Sequence, residues 1–316
     1  MTTDFPHGIR SQGVPVLGGG GMMTQGNSYF VDPTNGSDSN DGKTAATAKA
    51  TIAAGEELLT ANQNDVLYVM GGSTANTLTA SLTWDKSYTH LIGVGAPCHD
   101  SQRTRIFHNA NFSPMITVSA SGCSFQNLYF SYGRGGADNH ILMTVTGSRN
   151  YFENVHFSGM SNQTEADDAE SVILFLNGCE SNYFNGCNFG NQNVQRGAAN
   201  TIISVDGSTK RNKFKECLFQ CQADAATPTF VTTVDATAVD QIGLWFHDCI
   251  FNAQGTALTQ AMNLHNMGGN RQIVCSGTTM FIGVTDVADA TGDQQIKCLS
   301  HTATATAVML AISPTA

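Results

Sequence analysis

The 316 residues carry 15 Lys and Arg against 25 Asp and Glu, for a formal net charge of −10, and charged residues make up only 13% of the chain. That balance excludes a general nucleic-acid binder, which needs basic side chains to displace counterions from phosphate, and the longest apolar runs, such as 308–312, are far too short to span a bilayer. The 32 glycines fit many short strands joined by tight turns better than a helical bundle. The first 26 residues show no basic segment followed by a continuous apolar one, so no signal peptide is expected. Nine scattered cysteines without a Cys-x-x-Cys pair fit synthesis in a reducing cytosol and no structural zinc.

In chain order, residues 1–28 read as an extended anchoring arm, too poor in large apolar residues to fold alone. Phe5, Ile9, Val14, Val16 and Leu17 are spaced to drop into pockets on a partner, and Pro6 and Pro15 favour the extended form. Gly18 to Gly21 lack the pattern of a phosphate loop. Next comes a turn-rich stretch, Tyr29-Phe-Val-Asp-Pro-Thr-Asn-Gly-Ser-Asp-Ser-Asn-Asp-Gly42. Asp32, Asp38 and Asp41 miss the calcium-loop spacing and its closing Glu, so Asx-turns are the expected use. Residues 47–62 are Ala-rich, with Ile52, Leu58 and Leu59 as apolar positions, and predict a helix weakened by Gly55 that caps the open end of a solenoid. Residues 64–71 then read as a strand and turn.

The centre of the chain is repetitive, and the repeat decides the fold class. Phe125-Gln-Asn-Leu-Tyr-Phe130, Phe152-Glu-Asn-Val-His-Phe157, Phe184-Asn-Gly-Cys-Asn-Phe189, Phe214-Lys-Glu-Cys-Leu-Phe219 and Phe246-His-Asp-Cys-Ile-Phe251 overlay, with first Phe residues 27, 32, 30 and 32 positions apart. A weaker sixth copy runs from Val274 to Phe281. Along an unbroken strand, Phe and an apolar residue three places later point to opposite faces. A bend at the intervening Asn or Gly restores both to the interior, and those residues tolerate the left-handed conformation the bend needs. Each copy therefore reads as strand, corner, strand. A third β-rich run precedes each copy, for example Val172-Ile-Leu-Phe-Leu. The fold class predicted is all-β: a right-handed parallel β-helix with three strands per coil of about thirty residues, occupying residues 29–316 as one domain. Phe125, Phe152, Phe184, Phe214 and Phe246 form the expected core ladder. Cys187, Cys217 and Cys249, which share one repeat position, read as small buried hydrophobes beside it rather than a metal or redox ladder. Polar loops such as 158–171 and 190–200 are expected to leave the same edge of each coil.

The stretch Tyr29-Phe-Val-Asp-Pro-x-x-Gly-Ser-Asp-x-Asn-Asp-Gly42, the helix after it and Asn64-Asp-Val-Leu-Tyr-Val69 resemble the opening of pectate-lyase-like β-helix proteins. Asp4-Phe-Pro-His-Gly-Ile-Arg-Ser-Gln-Gly-Val-Pro-Val-Leu-Gly-Gly20 is similar to a group of tailed-bacteriophage virion proteins of about this length. The resemblance implies a particle component, a head decoration or minor capsid protein, assembled in the host cytoplasm and attached through the arm. It implies the major capsid protein or other virion subunits as partners and a homo-oligomer, with a trimer favoured. No nucleic-acid or membrane partner, cofactor or metal is expected.

The competing readings are a tailspike-like polysaccharide lyase or glycosidase and a glycan-binding fibre. The enzyme needs paired carboxylates along the coils. Glu165, Asp167, Asp168 and Glu170 share one loop, where consecutive acids usually face solvent. Asp206, Glu216 and Asp248 stand at turn positions, where acids are ordinary. A fibre needs stacking aromatics such as Tyr129, Tyr132 or Trp84, although Trp84 and Trp245 are equally suited to the core. With these acids assigned to the surface and to turns, the sequence predicts no catalytic residues and a protein that is not an enzyme.

Overall fold

A computed structural model describes residues 10–11, 14–15, 26–108, 110, 112–133, 140–265, 271–288 and 296–299. The described chain winds as a right-handed parallel β-helix of three sheets, each built from one strand per coil. Sheet 1 has ten strands, from Ser28–Val31 to Ile296–Leu299, and contains the first Phe of each repeat. Sheet 2 runs from Asn76–Leu78 to Met280–Ile282 and contains the last. Sheet 3 runs from Leu82–Trp84 to Val284–Ala288 and takes the upstream apolar run. Within each sheet, every pairing between successive coils is parallel.

The corner between sheets 1 and 2 falls at the middle of the motif. Asn127, Asn154, Gly186, Glu216 and Asp248 all have left-handed backbones there, with φ between 51° and 56°. That turn swings the following apolar residue inward, so Leu128, Val155, Cys187, Cys217 and Cys249 are buried beside the Phe residues. Phe125, Phe152, Phe184, Phe214 and Phe246 stack in register, with ring centroids 4.6–5.0 Å apart. Phe157, Phe189, Phe219, Phe251 and Phe281 form a second column at 4.4–4.9 Å. The two columns meet edge to face, as in Phe184 against Phe189, so each ring has stacked and edge contacts at once. The three cysteines donate weak S–H bonds to backbone carbonyls of Phe152, Phe184 and Phe214, each at 3.5 Å.

A second ladder, polar and buried, closes the corner between sheets 3 and 1. Asn182 Oδ1 accepts from the backbone N–H of Asn150, and Asn212 Oδ1 accepts from that of Asn182. Their Nδ2 groups donate to Gly147 and Cys179 carbonyls. Backbone groups that the corner removes from the sheet ladders are satisfied in this way.

Near the start, the helix is shorter than the 47–62 expectation. A 3-10 turn covers Ala45–Thr47, and the α-helix covers only Ile52–Glu57, capped by the Thr51 side chain. Asn62 and Asn64 take left-handed conformations in the turn beyond it. Gly55 is needed for close approach, since a Cβ there would stand 2.5 Å from Val31 and 2.8 Å from Leu67. Asp32 and Asp41 form Asx-turns, while Asp38 accepts from the Ala50 and Thr51 N–H groups. Phe5, Ile9, Val16 and Leu17 of the arm lie outside the described residues. Val14 is described by its backbone alone, in a two-residue antiparallel pairing of Val14–Pro15 with Arg10–Ser11.

Candidate functional site

Strand alternation in sheet 2 buries Phe130, Phe157 and Phe189 and turns the residues before them outward. The parallel register therefore stacks Tyr129, His156, Asn188, Leu218, Ile250 and Met280 in one outward column. Two loops rise over its lower half. One, between sheets 1 and 2 of an early coil, includes Asp100 and Ser101, and Gln102 fastens it by donating to Asn154. The other follows Asn188–Phe189 and includes 191–194. Asn191 Nδ2 donates to the carbonyls of Ser158 and Met160. Farther along this loop, Arg196 is buried and donates to Asn200 Oδ1 and to the Ser171 and Thr201 carbonyls.

Between the loops lies a cavity of about 340 Å³, lined by Asp100, Ser101, Tyr129, Ser131, His156, Ser158, Ser161, 191–194 and Gln220. Tyr129 donates to Ser158 Oγ, and its ring meets His156 edge to face at 4.9 Å. Gln220 donates to Asn188 Oδ1, and Asn188 in turn donates to Asp100. The lining is thus a connected set of hydroxyl and amide groups around one aromatic ring.

His156 sits at the back of the cavity, buried, with Nε2 2.8 Å from the Gly190 carbonyl. The Ser101 N–H points at its Nδ1 at 3.1 Å, which selects the neutral ring protonated on Nε2. Asp100 Oδ1 lies 2.8 Å from the same Nδ1, a contact that is attractive only if a proton lies between them. Burial pushes the His156 pKa down, against the Gly190 carbonyl and the Asp100 charge, which raise it. Both ring nitrogens are engaged, so the group that presents a carboxylate oxygen to the cavity is Asp100, 62% exposed, with His156 behind it.

Most of the acids singled out from sequence serve the loops. Asp167 Oδ1 accepts from the Gly197 N–H, and Asp168 Oδ1 from that of Glu170. Asp206 bonds the N–H of Gly207, while Glu216 and Asp248 occupy corners. Glu165 departs from the solvated reading: it is buried on the short helix Gln163–Ala166, and burial raises its pKa. Of the aromatics, Tyr129 lines the cavity, whereas Tyr132 and Trp84 are core. Trp245 lies part-buried on sheet 1 under Lys213, whose Nζ is 4.6 Å from the ring centre. Asp100, His156, Asn191 and Gln220 went unread. No three His, Cys, Asp or Glu side chains among the described residues converge as metal ligands.

No family model and no curated protein matches this chain. Among solved structures it is similar to a pectin methylesterase from Aspergillus niger, with TM-score 0.55 at 15% identity over 89% of this chain and 92% of that one. It is also similar to the pectin methylesterase PemA from Erwinia chrysanthemi, with TM-score 0.53 at 16% identity, covering 82% and 80% of the two chains. A pectin methylesterase in complex with a hexasaccharide gives TM-score 0.56 at 15% identity, covering 86% and 92%. At this identity the likeness is one of fold. It corrects the expectation of a protein that is not an enzyme, because the solved chains that share these coils nearly end to end are enzymes. Assigning the conspicuous acids to surface and turns did not test the fold's outer face, where side chains from distant coils meet.

Proposed function

We propose that this chain is a glycan-engaging β-helix whose site is the sheet 2 cavity between residues 100–101 and 191–194. The observation that carries this reading is the lining itself: hydroxyls, side-chain amides and the Tyr129 side chain, converging from five coils on one concavity. Sugars present hydroxyls that both donate and accept, and C–H faces that pack on aromatic rings. One of the structures similar in fold was solved with a hexasaccharide. Isothermal titration against a panel of oligosaccharides tests the reading, with Tyr129→Ala and Gln220→Ala as probes. Each variant is expected to weaken binding by about tenfold or more, the scale of one lost stacking contact or buried hydrogen bond. Unchanged affinity in both variants would remove the cavity from the account.

A second reading, carried by the likeness of residues 4–20 to tailed-phage virion proteins, puts this β-helix on a phage particle, held through its arm. Deleting residues 2–26 should then leave a folded protein that no longer attaches to particles. Full occupancy by the truncated chain would overturn that reading.

A further inference from the structure

Resting on the glycan reading above, we infer that the cavity selects neutral glycans and discriminates against acidic ones such as polyuronates. The inference comes from charge. Among the lining residues, the formal charge is the Asp100 carboxylate, and neither Lys nor Arg takes part. His156 does not offset it at neutral pH, since burial favours the uncharged ring. The position one rung below Tyr129 in the column is Arg105, which lies outside the lining, and its Nη2 donates to the Ser73 carbonyl at 2.7 Å. Arg196, behind the 191–194 loop, is buried and donates from Nε and Nη2 to Asn200, Ser171 and Thr201. A carboxylate on a bound sugar would thus enter a cavity lined by no Lys or Arg, beside a like charge, on a chain whose net charge is −10. Recognition of carboxylates is ordinarily built from Arg or Lys placed to form charge-assisted bonds.

The upper half of the column extends the same selectivity. Above Asn188 the outward positions become Leu218, Ile250 and Met280, with Ile282 beside them, and the last three are 37–41% exposed. This apolar stripe continues from the cavity along the coil axis, at about 4.8 Å per rung. It offers a surface to the C–H faces of sugar rings and none to a charged substituent, whose desolvation there would go uncompensated. Polar recognition at one end and apolar contact at the other suit an extended neutral oligosaccharide.

The experiment is calorimetric titration of the full chain with neutral hexasaccharides (maltohexaose, cellohexaose and chitohexaose) and with hexagalacturonate. At least one neutral probe is expected to bind at least about fivefold more tightly than the acidic one, the scale of one like-charge contact near the surface. Asp100→Asn keeps an oxygen for Asn188 and removes the charge, so it should narrow that ratio. Asp286→Asn, exposed on the last strand of sheet 3, should leave it unchanged. Tighter binding of hexagalacturonate by the unaltered chain would overturn the inference and leave the glycan reading standing. Binding of none of the four probes would overturn both.

Discussion

At the scale of single residues, conformation and ionisation carry the argument. Asn127, Asn154 and Gly186 were readable from sequence because their types announce a left-handed corner. Asp248 shares that tolerance, whereas Glu216 adopts the same φ without being favoured for it, so the repeat placed it where propensity alone would not. The buried group around His108 left no such trace, because its members come singly from separate coils. His108 is 2% exposed, with its ring 3.8 Å from Tyr132, and His140 and Glu165 are buried nearby. Burial first, and then the neighbouring His140, depress the His108 pKa to about 4. The unfolded chain binds this proton near pH 6.5, and the folded chain does not until about pH 4. Stability from His108 is therefore fully present above pH 6.5 and is lost as pH falls through that window, by about 3 kcal/mol in all. His90 and His156, also depressed by burial, act in the same direction, while Glu165, raised by burial, acts oppositely. Urea unfolding at pH 7.5 and pH 4.5 should show a fall in midpoint that His108→Phe reduces. An equal fall in the variant would mean that His108 is not a source of the acid sensitivity.

At the scale of elements, a coil is held by what lies above and below it. The Phe spacing announced the strand–corner–strand unit because period-two alternation leaves no other way to bury both apolar positions. The Asn150–Asn182–Asn212 ladder was less visible, since one Asn two residues before a Phe resembles ordinary turn polarity until the coils are stacked. Helix length was misread for a related reason: Ala-rich composition extends a helix on paper, but the segment divides into a 3-10 turn and a helix that ends at Glu57, with left-handed residues at Asn62 and Asn64 beyond it. Phe184 is the sharpest probe at this scale, with Phe152 and Phe214 stacked at 4.6 Å on either side and Phe157 and Phe189 at its edges. Phe184→Ala should cost about 3–5 kcal/mol, with part of the loss felt in neighbouring coils because each repeat stabilises the next. Chemical denaturation checks the total. A loss below about 1 kcal/mol would mean that the column collapses onto the gap and contributes less than its contacts indicate.

At the scale of the whole molecule, the fold was legible and the candidate site was not. A β-helix writes its architecture into sequence as a period, but its outer face is assembled from positions about one coil apart. Tyr129 and His156 occupy the same repeat position, so their shared outward column was within reach of the pattern. Asp100 was not, because its loop lies before the first clear repeat and crosses upward to meet His156 and Asn188. Loops thus complete a surface that the repeat only floors. Hydrogen exchange read by mass spectrometry, with and without a saturating oligosaccharide, tests the central claim of a sheet 2 glycan site most directly. The account predicts added protection in peptides covering 98–104 and 190–194, with sheets 1 and 3 unchanged. Protection confined to another face, or none in those two loops at saturation, would contradict it.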